Sequence, residues 1–180
     1  MLKRIERVCE RPVFENQFGT FYNDSVRSPS GVQGNYLRWR WSRSGVVIVP
    51  RRGDQVALTL AYRYPIDAAS LELPRGSYVD NEALEVAAAR ELFEETGLSP
   101  LRCHAVATLF AESGLISNPI TVVEAVVSDH QNAPLPDQME SIDPELVWMR
   151  RQDIWRSIRA GKITCAITIA ALVATPLLME

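Results

Sequence analysis

The sequence predicts an α+β fold, a mixed domain with one helix among strands, preceded by a small N-terminal β segment. Three stretches carry that reading. Residues 35–41 alternate apolar and polar, with Leu37, Trp39 and Trp41 on one face. The apolar run 45–49 and residues 55–62 flank the turn Arg51-Arg52-Gly53-Asp54, a hairpin pattern. Between Gly76 and Gly97 the apolar spacing becomes helical. The boundary falls near Ser44, with a β segment over 1–44 and the main domain over 45–180.

Taken in order, residues 4–42 read as strands separated by turn formers, the strongest being Ser28-Pro29-Ser30-Gly31. Aromatic residues in strict alternation usually fill a sheet core, so Trp39 and Trp41 are expected there, although a tryptophan face could also stack a base. After the hairpin, residues 63–75 read as a loop that delivers the chain to Gly76. Asp80 or Asn81 can cap the helix that follows. Beyond Gly97, strands are predicted at 103–110, 120–127 and 145–149, joined by loops at 111–119 and 132–144. A helix over 153–160, closed by Gly161, precedes a final apolar helix.

Composition narrows the function classes. The 180 residues are 47% hydrophobic and 23% charged, with a formal net charge of −3. Without a dense Lys/Arg run, a general nucleic-acid binder is not indicated. Cys9, Cys103 and Cys165 are far apart, and no CxxC pair exists, so neither zinc nor a disulfide framework is signalled. The amino-terminal stretch has no apolar signal core, and Pro176 interrupts the uncharged run 163–179. A cytoplasmic protein with a buried last helix is the expectation. His104 and His130 suggest no histidine-based site, and Ser113 lacks a nucleophile elbow.

The helix between Gly76 and Gly97 holds the chemistry. Glu91, Glu94 and Glu95 stand at i, i+3 and i+4 and therefore share a face. Two such carboxylates about 6 Å apart repel by roughly 3 kcal/mol at an effective dielectric of 20. Solvated acidic helix faces are common, but a divalent cation would turn that repulsion into ligation. On a helical wheel Glu91 and Glu95 fall with Leu84, Ala87 and Ala88, and Val86, Ala89 and Phe93 lie opposite. The second face is expected to pack on the core, and the glutamate face to line a partly enclosed cavity.

The flanking pattern decides between the two readings. Gly76, five residues, Glu82, seven residues, Arg90-Glu91-Leu92, one residue, Glu94-Glu95, one residue and Gly97-Leu98 match the Nudix box at every fixed position. The chain therefore resembles the Nudix hydrolases, which cleave a nucleoside diphosphate linked to another group with Mg²⁺ or Mn²⁺. The resemblance implies a Nudix fold, a mixed sheet sandwiched between helices. It makes Glu91 and Glu95 the principal metal ligands, with Glu94 a further carboxylate and the Arg75 carbonyl a backbone ligand. Arg90 and Glu82 become a charge pair that fixes the loop.

Within the family, Tyr62-Arg63-Tyr64-Pro65 and Leu71-Glu72-Leu73-Pro74-Arg75-Gly76 are similar to the pattern preceding the box in ADP-ribose pyrophosphatases. Gly161-Lys162-Ile163 before the last helix is similar too. The resemblance implies a homodimer, a nucleotide-sugar substrate, a phosphate contact from Arg63, substrate binding by Arg75, and a role for Glu72 in orienting the metal site or a ribose. It implies a loop glutamate as general base, Glu140 first and Glu112 second. Glu112-Ser113-Gly114 stands where such enzymes carry Ser-Pro-Gly, a departure in the substrate region. The expected reaction is hydrolysis of ADP-ribose to AMP and ribose 5-phosphate. Another nucleoside diphosphate sugar, or a nucleotide sensor without turnover, is the alternative.

Overall fold

The computed structural model describes residues 3–79, 81–135, 139 and 141–176. The chain forms two compact units, Met1–Ser44 with Phe110–Pro119, and Gly45–Leu109 with Ile120–Glu180.

The first unit is one antiparallel sheet of β1 (Glu6–Cys9), β2 (Pro12–Asn16), β3 (Gly19–Arg27) and β4 (Gln33–Trp41). β4 follows one edge of β3 from Gly19↔Trp41 to Arg27↔Gln33, and β1 and β2 share the other edge. Alternation splits its faces. On one, Tyr22 is buried beneath the Arg38 guanidinium, 4.0 Å from the ring, and Asp24 accepts from Arg38 and from the Arg11 N–H. On the other, Phe14, Phe21 and Trp39 lie in register across three strands. The predicted burial of this apolar face is not met, because Leu37 is 51% and Trp41 46% exposed. The unit has no helix among its described residues, so this face has no opposing helical layer within it.

The second unit is a mixed sheet between helices. In chain order it contains β5 (Ser44–Arg52), β6 (Gln55–Arg63), β7 (Ala68–Glu72), β8 (Arg75–Tyr78), α1 (Leu84–Thr96), β9 (Leu98–Leu109), β10 (Ile120–Gln131), β11 (Val147–Arg150), α2 (Arg151–Arg159) and α3 (Ala166–Ala174). The strand order is β11-β6-β5-β10-β9, with β7 on β6 and β8 on β5. β5 and β10 run parallel, from Gly45↔Ile120 to Arg51↔Val126. Both faces are covered. Val47, Val49, Leu58 and Val122 meet Ile154, Ala171 and Leu172, whereas Val46, Ile48, Val123 and Ala125 meet Ala88 and Leu92. Successive strand residues point to opposite faces, so each of these apolar runs feeds two cores.

Two departures from expectation concern the approach to the helix. Residues 63–75, expected as a loop, contain β7 and the start of β8. Only a short 3₁₀ turn, Tyr64–Ile66, carries Pro65, which has no N–H to give a ladder. The alternation Leu71-Glu72-Leu73 then pairs with β6 at Leu60↔Leu71 and Thr59↔Glu72. The helix orientation is also reversed. Ala87, Ala88, Leu92 and Glu95 are buried and Val86 is 60% exposed. The alanines let α1 approach the sheet closely, and Leu92 anchors it, so the glutamate side and not the Val86 side faces inward.

Neither predicted cap is used in the described residues. Asp80 lies outside them, Asn81 has φ 75°, and the N-cap is Ala83 without a side-chain bond. At the other end Gly97 closes α1 at φ 69°, where a side chain would also strike the Asn132 carbonyl. The last helix, α3, packs inward with Thr168, Ala171 and Leu172 buried. Among the described residues no helix is long and apolar enough to cross a membrane.

Candidate active site

β8 and α1 meet side by side, and the box residues gather at that seam. The Glu91 carboxylate accepts the Ser77 N–H at 3.0 Å, and the buried Glu95 carboxylate accepts the Arg75 N–H at 3.3 Å. Gly76 between them is required by space. A Cβ there would fall inside the Glu91 carboxylate. The strand backbone thus lies directly beneath two carboxylates placed one helical turn apart.

Arg90 ties the rest together. Its guanidinium donates to Glu82 at 3.1 Å, to Glu91 at 2.9 Å, to Glu94 at 3.2 Å and to the Ser77 carbonyl at 3.0 Å. The Glu82 hydrogen bond is the main cause holding its proton more tightly than usual; burial opposes this, and Glu91 adds to it. Arg90 therefore offsets the repulsion among carboxylates and fixes their rotamers.

A second charge group lies on the other side of Arg75. Glu72 is buried, accepts from Arg63 at 2.9 Å and forms an ion pair with Arg75 at 3.2 Å. Burial pushes its carboxyl up, but the Arg63 hydrogen bond and the Arg75 charge outweigh that and leave it below the usual range. Two guanidinium groups on one carboxylate leave a net positive charge, suited to an anionic oxygen. Arg75 belongs to both groups, since its N–H meets Glu95 and its side chain meets Glu72.

The oxygen donors suit a hard divalent cation, and the close approach at Gly76 leaves the strand backbone within reach of the carboxylates. Glu91 and Glu95, with Glu94 and the Arg75 carbonyl, are the groups that would hold it. Among the described residues no three acidic, histidine or cysteine side chains already converge in ligating geometry. Arg90 instead bridges Glu91 and Glu94.

The two candidate bases stand differently. Glu140 lies outside the described residues. Its flanks are anchored at both ends. Asn132 N–H donates to the Gly97 carbonyl and Leu135 N–H to that of Glu94, whereas Ser141 and Asp143 pair with Tyr62 and Leu60 of β6. Glu112 belongs to the first unit, is exposed, and accepts the Gly114 N–H at 3.2 Å. Sequence reasoning missed Ser77, whose N–H and carbonyl serve Glu91 and Arg90, because backbone roles leave no side-chain signal. It also missed Cys165, whose Sγ lies 3.9 Å from the Arg75 guanidinium across 90 positions of sequence.

Known proteins resemble the chain in sequence and in fold. The chain is 26% identical over 165 residues to a CMP-5'-(N-acetyl-N-hydroxy-3-aminopropyl)phosphonate hydrolase of Streptomyces rubellomurinus, covering 92% of this chain and 79% of that one. Its fold is similar to a crystal structure described as an ADP compounds hydrolase, with a TM-score of 0.83 at 20% identity, over 97% of this chain and 93% of the other. The NUDIX domain profile matches residues 41–165, which span the whole seam of β8 and α1 and both charge groups beside it. The chain belongs to the Nudix family, and it is a hydrolase of that family.

Proposed function

We propose that this hydrolase splits the pyrophosphate bond of a nucleoside diphosphate linked to a sugar, with ADP-ribose the first substrate to test and Mg²⁺ the working metal. One observation carries the reading. The Arg75 segment joins a carboxylate seam that suits a hard cation to a cationic group that suits phosphate. A bound divalent cation would neutralise phosphate charge and lower the pKa of a ligated water. Glu91 and Glu95 hold it, with Glu94 and the Arg75 carbonyl completing the donor set. Arg63 and Arg75 hold a phosphate oxygen, and Glu72 keeps both guanidinium groups in place.

Glu140 is the proposed base that accepts the proton of the attacking water. The support is the anchoring of its described flanks at the end of α1 and along β6. Glu112 is the second choice. The structural neighbour's description as an ADP compounds hydrolase favours an adenosine diphosphate substrate. The Streptomyces relative's name brings cytidine compounds into the same screen. A homodimer and a cytoplasmic location complete the proposal. The dimer is supported by the apolar face of Phe14, Leu37 and Trp41, which the single chain leaves exposed.

The test is a Mg²⁺-dependent hydrolysis screen across nucleoside diphosphate sugars, dinucleoside polyphosphates and nucleoside triphosphates. Release of AMP and ribose 5-phosphate from ADP-ribose, lost in Glu95→Gln, supports the reading. Turnover that survives Glu95→Gln refutes the metal assignment. Tight binding of one nucleotide with no turnover of any favours the sensor instead. Glu140→Gln is expected to slow turnover more than it weakens binding; if only Glu112→Gln does so, the base is Glu112.

A further inference from the structure

α3 is an apolar helix, Ala-Ile-Thr-Ile-Ala-Ala-Leu-Val-Ala, with one polar side chain, Thr168, which is 0% exposed. Its hydroxyl oxygen accepts the Leu73 N–H at 3.1 Å, a bond that spans 95 positions of sequence. Thr96 and Thr175 donate to the carbonyl four residues back in their own helical turns, and Thr96 also accepts the Leu98 N–H two residues on. The Thr168 hydroxyl bonds across 95 positions to another element, so it has a use outside α3.

That use lies in the Leu73–Pro74–Arg75 stretch. Three successive residues have a backbone group held by three different elements. Leu73 N–H goes to Thr168 of α3, the Pro74 carbonyl accepts Ile48 N–H of β5 at 2.9 Å, and Arg75 N–H goes to Glu95 of α1 at 3.3 Å. Pro74 has no N–H of its own to add a fourth tie. The Leu73 side chain is fully buried, so its N–H has no access to water in place of Thr168.

We propose that Thr168 is a positioning residue for hydrolysis: through the Leu73 N–H it sets the depth of the peptide that presents the Arg75 carbonyl to the metal. This rests on the metal site read above. Thr168 does not touch substrate or metal. Only Pro74, whose ring fixes φ, separates Leu73 from Arg75, so a shift at Leu73 is carried toward Arg75.

The test uses Thr168→Val, which keeps shape and removes the acceptor, beside Thr168→Ser, which keeps it. Mn²⁺ affinity is read by the paramagnetic signal of the free ion, turnover by steady-state kinetics, folding by thermal denaturation, and the Leu73 amide by hydrogen exchange. The valine variant is expected to fold, to exchange the Leu73 amide faster, to bind Mn²⁺ less tightly, and to lose about ten- to a hundredfold in kcat. Its substrate KM should change little, and serine should restore all three readouts. A folded valine variant with wild-type Mn²⁺ affinity and kcat overturns the proposal, as does a serine variant that fails to rescue. If the valine variant does not fold, Thr168→Cys reads the same bond through a weaker acceptor of similar size. Mn²⁺ affinity below that of the wild type then supports the proposal, and wild-type affinity overturns it. Glu95→Gln is the control for the underlying site: if it still binds Mn²⁺ and turns over, the metal reading has failed.

Discussion

Adding one methyl group at Gly76 is the sharpest perturbation of the seam. Gly76 sits in β8 without a positive φ, so alanine fits its backbone and the effect is steric alone. The added Cβ lies inside the Glu91 carboxylate, which has to withdraw by about 1 Å, and a misplacement of that size costs on the order of 10²-fold in rate. Withdrawal also breaks or lengthens the bonds from Ser77 N–H and Arg90. Each is charge-assisted, so the folded state loses about 1–3 kcal/mol. Because Glu91 is the flexible end of a side chain, the chain should still fold. The expected result for Gly76→Ala is a monophasic unfolding transition at slightly lower temperature, weaker Mg²⁺ dependence, and kcat down about a hundredfold. The assay is nucleotide-sugar hydrolysis over a Mg²⁺ titration, with circular dichroism to follow folding. A folded variant with wild-type kcat and wild-type metal dependence would refute the placement of Glu91 over the strand.

Three further outcomes follow from the same geometry. Arg90→Lys keeps one charge but not the four-way bridge, so it should lower kcat more than thermal stability; unchanged kcat and stability would show that the bridge is dispensable. Leu92→Ala removes a fully buried anchor between α1 and the sheet and should cost about 3 kcal/mol in urea unfolding. For Glu72 the sign is fixed by its lowered pKa. Its stabilisation is complete above the ordinary value of 4.5 and is lost as the pH falls through the folded-state value. In metal-free buffer the melting temperature of the wild type should therefore fall more steeply below pH 4.5 than that of Glu72→Gln. Parallel curves would show that Glu72 titrates alike in the folded and unfolded chain.

The spacing of Glu91, Glu94 and Glu95 to Gly76 and Arg90 was legible because it is local to one strand, one turn and one helix. The side of α1 that faces inward was not. The wheel separated two half-apolar faces correctly. However, choosing between them depends on Ala87 and Ala88 being small enough for close approach to the sheet, which is a property of the sheet. β7 was missed because Arg63-Tyr64-Pro65 looks like a break. Its strand character comes from pairing with β6, whose partner residues lie more than ten positions away for the outer pairs. Thr168 and Cys165 could not be found at all from spacing, since each meets the site from 90 or more residues away.

Arg75 is where these scales meet. A residue just before the box glycine needs only a carbonyl and an N–H to serve a metal site, so any side chain would do there. An arginine at this position adds a guanidinium that shares Glu72 with Arg63. Without Arg75, Glu72 and Arg63 form a neutral pair that gives little pull on a phosphate; with it, the group keeps one net positive charge. The same residue whose N–H registers the carboxylate seam through Glu95 also sets the charge of the phosphate side. Arg75→Ala leaves the proposed backbone ligand in place while removing that charge. It should therefore raise KM for an anionic substrate with little change in Mg²⁺ dependence, and a changed Mg²⁺ dependence at constant KM would show that the two groups are not separable in this way.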